Sequence, residues 1–297
     1  MFNYLPETIF YFRLLPRLNI HAFLLDDKCV FAAAVASLGV SIPRTVIVFR
    51  RGTIMDACGS VLTESAQIDA LLGAMKGDIV LKPATGSGGK EIYVFRRSQS
   101  GRYQCGDNSL DHQFLSRLDG CDWLVQEYVE QCEELSLLHS NSLNTLRVVT
   151  IFNPGVGARV LYCMLKVGAN HAITDNAHTG GVYVRVQMDD GRLDDVAYDE
   201  ELRSHHQHPT TGVSFSGIRI RQIHEVLRVA CLCANAFPAL GIVGWDIACT
   251  PSGPIVIEGN SSPGLTIIQR TYVGMVDTFM PSVEKLLRRN TEGIDLP

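Results

Sequence analysis

The sequence predicts an α+β fold organised as two lobes, and three features predict it. Near the C-terminus, Gly244-Trp245-Asp246-Ile247-Ala248 and Ile255-Val256-Ile257-Glu258-Gly259-Asn260 read as apolar strands joined by the turn Pro251-Ser252-Gly253-Pro254. Upstream, Asp78-Ile79-Val80-Leu81-Lys82 and Glu91-Ile92-Tyr93-Val94-Phe95 flank the glycine-rich loop Pro83-Ala84-Thr85-Gly86-Ser87-Gly88-Gly89-Lys90. Between such strand pairs lie single stretches of helical period, such as Ile223, Val226, Leu227 and Ala230 on one face. Antiparallel hairpins interspersed with lone helices give an α+β architecture.

The elements follow in order. Asp27-Lys28 opens a helix through Phe31 and Val35 that stops at Gly39, a C-cap residue. A strand runs from Arg44 to Phe49. Thr63 caps a helix through Ile68, Leu71, Leu72 and Met75, stopped by Gly77. The strands around the glycine loop come next, then a short helix from Asn108 or Ser109 through Phe114 and Leu118. Trp123-Leu124-Val125-Gln126-Glu127-Tyr128-Val129-Glu130 is a strand leading into Cys132-Glu133-Glu134-Leu135. From Arg147 to Val186 the pattern is β-rich, and Asp189-Asp190-Gly191 makes a turn. A helix spans 218–237, the acidic hairpin follows, and a last helix from Val273 to Leu287 covers the sheet. The organisation expected is a helical N-terminal segment (1–44), a small lobe carrying the glycine loop (45–130) and a large lobe carrying the hairpin (131–297).

The hairpin carries unusual chemistry. Residues i and i+2 of a strand share a face, so Glu258 and Asn260 point together, and antiparallel pairing brings Asp246 beside them. Two carboxylates and an amide oxygen are hard ligands that suit Mg²⁺. An otherwise apolar hairpin gains little from two acids unless a cation meets them. The glycine loop offers successive N–H groups as a nest for phosphate oxygens, with Lys82 and Lys90 at its two ends. It is no Walker A motif. Ala84 stands where that motif needs its first glycine, Glu91 stands where it needs Ser or Thr, and a strand follows instead of a helix.

The order of parts resembles the ATP-grasp superfamily, and more narrowly its sugar-transfer-associated branch, related to α-L-glutamate ligases. A Lys-ended strand precedes a glycine hairpin loop, a Gln-Glu-Tyr-Val strand end follows, and an acidic hairpin ending Glu-Gly-Asn comes last. Ser142-Leu143-Asn144-Thr145-Leu146-Arg147, Asp175-Asn176 with Gly180-Gly181, and His208-Pro209-Thr210-Thr211-Gly212 add to the match, which covers roughly residues 25 to 270.

The resemblance implies the ATP-grasp fold, two α+β lobes clamping a nucleotide, with ATP and Mg²⁺ as cofactors. Lys82, Lys28 and the loop residues Gly86, Ser87, Gly88 and Gly89 would then meet the phosphates. The hinge Gln126-Glu127-Tyr128-Val129 would meet adenine through the Glu127 carbonyl and the Val129 amide, and Glu133 the ribose. Asp246, Glu258 and Asn260 would hold Mg²⁺. Arg147 and Lys166 would face the γ-phosphate or a carboxylate substrate, and Asn176, Gly180 and Gly181 would form a substrate-side loop. The implied activity is ligation of a carboxylate, activated as an acyl phosphate, to an amine. A small-molecule kinase or a non-catalytic nucleotide-binding regulator would use the same site. The substrates expected are small or carrier-linked acids and amines.

Composition narrows the classes. The chain has 297 residues, 46% of them hydrophobic, and a net charge of −5, which argues against a broad nucleic-acid surface. Nine cysteines with no repeated Cys-x-x-Cys framework suggest reduced thiols in a cytoplasmic setting. The apolar N-terminus is interrupted by Pro6, Arg13, Pro16 and Arg17 and is too short to span a bilayer. It is expected to pack on the body of the protein or on a second copy in a homodimer. His205, His206 and His208, with His178, lack a zinc spacing and are expected in a polar loop facing substrate or solvent.

Overall fold

The computed structural model describes residues 3–86, 91–118 and 121–292, with the side chains of 288–292 excepted. The chain divides into two compact units. One comprises Met1–Asp26, Val30–Ser41 and Glu130–Pro297; the other comprises Asp27–Cys29 and Ile42–Val129.

The smaller unit holds a seven-stranded antiparallel sheet. Its strands are β1 (Thr45–Arg50), β2 (Thr53–Asp56), β3 (Ile79–Pro83), β4 (Tyr93–Arg97), β5 (Tyr103–Cys105), β6 (Asn108–Ser109) and β7 (Trp123–Glu127), in the order β2-β1-β7-β3-β4-β5-β6. Ile47, Phe49, Ile79, Leu81, Phe95 and Val125 alternate onto one face and pack with Ile68 and Leu72 of the helix Ser65–Gly73. Glu64, rather than Thr63, is the N-cap of that helix, because Gln67 reaches back to accept from both the Thr63 and Glu64 N–H groups. The short helix expected from Asn108 is His112–Leu115. Asn108 and Ser109 pair with β5 instead, and the Asp111 carboxylate accepts the Phe114 N–H as the cap.

The larger unit holds the second seven-stranded sheet, β12-β11-β10-β9-β8-β13-β14. Its strands are β8 (Thr145–Asn153), β9 (Gly157–Val167), β10 (Val182–Val186), β11 (Leu193–Tyr198), β12 (Ser204–His205), β13 (Ile242–Thr250) and β14 (Gly253–Asn260). On one face Trp245 lies among Phe31 and Phe237, near the helix Ile223–Ala236. That helix starts later than its apolar period suggests, because the Ile218 carbonyl and the Ile220 N–H bond with Leu193 and Gly191. On the other face Val149, Ile151, Tyr162 and Met164 pack with Phe10, Leu14 and Leu18 from the N-terminal segment and Phe279 and Val283 from the C-terminal helix Val276–Glu292. The apolar N-terminus therefore packs on this unit.

The helix expected from Val273 is two helices, Thr266–Thr271 and Val276–Glu292. Val273 and Gly274 between them both have positive φ, which no α-helix continues through. A Cβ on Gly274 would lie 2.2 Å from the Asn3 carbonyl oxygen, so only glycine fits this approach. Among the described residues, no helix is long and apolar enough to cross a membrane.

Candidate active site

The hairpin β13–β14 is the first part of the site. Asp246 pairs directly with Glu258 and Gly244 with Asn260, whereas Ile247 pairs with Val256, leaving Ile257 as a bulge. The bulge shifts the side-chain phase by one residue. Before it, Pro254 and Val256 are the buried members of the strand; after it, Gly259 is. A regular ladder would turn Glu258 and Asn260 toward the Trp245 face. The extra residue returns them to the Asp246 face. The Asn260 amide lies 3.4 Å from Asp246 Oδ2 and 3.4 Å from Glu258 Oε1. The three predicted ligands are thus gathered in one place.

The neighbouring strands add two cations. Arg147 on β8 pairs with Asp246, and its Nε and Nη2 donate to Oδ1 and Oδ2 at 2.6 and 3.0 Å, a bidentate contact. Lys166 near the end of β9 donates to Asp246 Oδ2 at 2.9 Å and to Asp175 Oδ1 at 3.1 Å. Asp175 is tied down by the Thr145 N–H at 2.9 Å and the Thr145 hydroxyl at 2.5 Å. Two acids and two cations therefore sit together at 3–12% side-chain exposure. Burial would raise the Asp246 pKa, but the charges of Arg147 and Lys166 outweigh it and hold the carboxyl below its ordinary range. For Asp175 burial prevails over Lys166 and the pKa is raised. Burial would lower the Lys166 pKa, yet Asp175 and Asp246 raise it, so the amine stays protonated. Tyr183 on β10 is the strand partner of Lys166, and burial pushes its phenol up.

The loop before β10 is held from within the same unit. Asn176 precedes a single 3₁₀ turn, Ala177–Thr179, and its carbonyl accepts from the Thr179 N–H and the Gly181 N–H. Gly180 is left-handed at φ 88°. A Cβ on Gly181 would come within 2.8–2.9 Å of three carbonyl oxygens, those of Asn176, Val167 and Asp175. The run before β8 is a buried polar knot. The Asn144 side chain accepts from the Ser142 hydroxyl and the Gly168 N–H and donates to the Leu135 and His139 carbonyls. His208 belongs to this knot. It is 1% exposed, its Nε2–H donates to the Gly168 carbonyl at 2.6 Å, and the Thr211 N–H donates to its Nδ1. The expectation of a solvent- or substrate-facing loop fails for His208, which braces Gly168 instead. His205 contacts Asp199 at 2.9 Å and His178 contacts Glu200, so these rings serve local acids.

In the smaller unit, Lys28 meets the start of the glycine loop. Asp27 bridges to Thr85, the Lys28 N–H donates to the Ala84 carbonyl at 2.8 Å, and Lys28 Nζ donates to the Gly86 carbonyl at 2.9 Å. Asp27 is itself clamped by Arg50 at 2.6 and 2.7 Å. Lys82 is buried near the end of β3, opposite Leu124. Gly86 has φ 98°. Ser87, Gly88 and Gly89 lie outside the described residues. At the end of β7, the Glu127 N–H bonds Arg44 O and the Tyr128 N–H bonds Asp78 O, so the pairing stops one residue before Val129. The Gln126 side chain is committed to the Thr45 hydroxyl at 3.0 Å, Glu127 lies 3.4 Å from Arg44, and Tyr128 carries Arg96 over its ring. Glu133 is exposed in the first turn of the helix Glu133–Leu138, in the larger unit.

Sequence reasoning quoted Asp175 only as part of the run Asp175-Asn176 and gave it no role, and it passed over Tyr183 and Arg50. The alternation Tyr183, Arg185 on β10 is a signal for Tyr183.

On the same sheet, a cavity of about 650 Å³ is lined by Gln187, Asp194, Asp195, Tyr198, Ser216 and Thr271, among others. Arg185 lies across from the irregular stretch 194–196 and stacks on the Tyr272 ring at 4.5 Å, and its buried Nε has no hydrogen-bond partner.

Solved structures with the same fold include a biotin carboxylase–βγ-ATP complex from Campylobacter jejuni, at TM-score 0.52 and 12% identity over 93% of this chain and 48% of that one. A D-alanine–D-alanine ligase from Coxiella burnetii matches at TM-score 0.51 and 10% identity, over 91% and 59% of the two chains. An N5-carboxyaminoimidazole synthetase from Staphylococcus aureus matches at 0.50 and 10%, over 88% and 52%. The chain spans about half the length of these proteins. No curated protein sequence matches it. The family described as sugar-transfer associated ATP-grasp matches residues 10–277, and the chain belongs to that family.

Proposed function

We propose that this protein is an ATP-dependent carboxylate–amine ligase, cytoplasmic, acting through an acyl phosphate and releasing ADP and phosphate. The observation that carries the reading is the buried set Arg147, Lys166, Asp175 and Asp246 beside Glu258 and Asn260. Two fixed cations next to a carboxylate–carboxylate–amide trio suit a reaction in which negative charge gathers on phosphate oxygens.

The donor set fits Mg²⁺. Asp246 and Glu258 are direct strand partners, and an Asn260 amide turned over presents Oδ1 to the same point. Mg²⁺, when bound, offsets charge on the phosphate oxygens.

The protein's own residues do the rest. Lys28, Lys82 and the loop from Gly86 through Ser87, Gly88 and Gly89 hold the phosphates. The Glu127 carbonyl and Val129 amide receive the adenine edge, and Glu133 the ribose. Arg147 and Lys166 fix the γ-phosphate and the acid to be activated. The loop Asn176–Gly181 closes the substrate side. No side-chain nucleophile is required.

The test is a screen of carboxylates with ATP, Mg²⁺ and hydroxylamine. A hydroxamate together with ADP is the expected product, because hydroxylamine intercepts an acyl phosphate before the amine is known. Carboxylate-dependent ADP release with a stable phosphate ester and no hydroxamate would make the protein a kinase instead.

A further inference from the structure

Half of the large apolar side chains exposed among the described residues fall in the first thirty positions of this 297-residue chain, so the N-terminal segment has an outer face that folding leaves uncovered. The segment is helical from Glu7 to Leu18, with a π-helical turn at Phe10–Leu14. Its inner face is satisfied, because Phe10, Leu14 and Leu18 are buried in the core of the larger unit. Its outer face carries Ile9, Phe12, Arg13, Pro16, Arg17 and Ile20, all exposed, and Phe23 continues it. Phe12 is 78% exposed, Ile20 63% and Phe23 64%. Neither Arg13 nor Arg17 has an ion-pair partner among the described residues. The nearby Glu7 is engaged with the Thr266 hydroxyl.

A ridge of aromatic and aliphatic tips with arginines between them matches the boundary of an anionic lipid bilayer. There the apolar tips enter the headgroup–acyl boundary and the guanidinium groups meet phosphates. We propose that this ridge docks the protein on an anionic membrane surface, peripherally and without a spanning segment. Charge decides against a second copy of the chain as the occupant. A twofold contact through this ridge would bring together two faces that each carry Arg13 and Arg17, while the flanking acids Glu7 and Asp26 are engaged by the Thr266 and Ser261 hydroxyls. A membrane bearing anionic headgroups supplies the missing counter-charge. The net charge of −5 for the whole chain makes the attraction local to this face, so it is both oriented and salt-sensitive.

The test is co-sedimentation of the full chain with phosphatidylcholine vesicles, with and without about one third phosphatidylglycerol. The wild type is expected to partition onto the anionic vesicles at low salt and to leave them as salt rises. Each arginine contributes about a fivefold change, so Arg13→Glu/Arg17→Glu reduces partition by more than tenfold, while Arg13→Lys/Arg17→Lys retains it. Phe12→Ser/Phe23→Ser also releases the protein from vesicles. All these side chains face solvent, so melting temperatures stay at the wild-type value, which separates lost docking from lost folding. No partition of the wild type, or equal partition by wild type and both disruptive variants, overturns the proposal. So does a doubled mass in light scattering that Phe12→Ser abolishes, which would assign the ridge to a second copy of the chain.

Discussion

Asp246 is held by two cations at once, and this separates it from Glu258. Asp246→Asn removes the one carboxylate among the described residues that bonds both Arg147 and Lys166, leaving Lys166 with Asp175 and Arg147 with the more distant charge of Glu258. Breaking a buried ion pair of this kind costs about 3–5 kcal/mol, so this variant is expected to lose thermal stability as well as turnover. Glu258 is half-buried, accepts from the Asn260 amide and has no cation at hydrogen-bond distance among the described residues. Glu258→Gln is expected to abolish most ADP release with little change in melting temperature. Equal activity of this variant and wild type at limiting Mg²⁺ would remove Glu258 from the proposed metal site. That Glu258 and Asn260 share a face was legible from strand alternation; that this is the Asp246 face rests on the bulge at Ile257 and was not. Arg147 and Lys166 were legible through resemblance. Asp175 was not legible, since its burial depends on Thr145 and Lys166, which reach it across 30 and 9 residues of sequence.

Most strands and helices were readable from period and punctuation, and the misses have local causes. Asn108 resembles a helix start but is taken by ladder pairing, and positive φ at Val273 and Gly274 divides what reads as one helix. The bulge at Ile257 is invisible in the sequence, because a continuous apolar run shows no change of phase. Without it, the expectation that Glu258 and Asn260 share the Asp246 face would have failed. The loop Asn176–Gly181 gives an element-level prediction. Gly181→Ala forces a Cβ against three carbonyl oxygens, one of them belonging to Asp175. The expected cost is about 1–3 kcal/mol, and the loop must shift to relieve it. Calorimetry should show the lower melting temperature, and steady-state kinetics a raised KM for the carboxylate with a smaller change for ATP. An unchanged melting temperature would mean that the loop has room the structure does not show.

At the scale of the molecule, acid should unfold this protein partly through His208. Burial lowers its pKa below the ordinary 6.5, and accepting the Thr211 N–H requires a neutral ring. The unfolded chain therefore binds this proton more readily than the folded one. Its contribution makes stability fall as pH drops below about 6.5 and leaves it flat above. Melting temperatures of wild type and His208→Gln should diverge most at neutral pH and converge toward pH 5. Parallel curves would show that the ring does not titrate in that window. The packing of the N-terminal segment against the last helices has a separate consequence, for synthesis on the ribosome. Leu5 bonds Gln269, and Phe10 meets Phe279 at 5.8 Å between ring centroids. Phe10 thus waits for a partner that lies about 270 residues further along the chain. At typical elongation rates of about 5–20 residues per second, Phe10 stays without Phe279 for roughly 13–54 s, although Val149, Ile151, Tyr162 and Met164 emerge earlier. This face of the larger unit's core is complete only once the helix Val276–Glu292 has emerged, and until then its apolar residues are open to chaperones. A nascent chain stalled before residue 276 should remain protease-sensitive across residues 5–18, and protection of that segment would show an earlier partner.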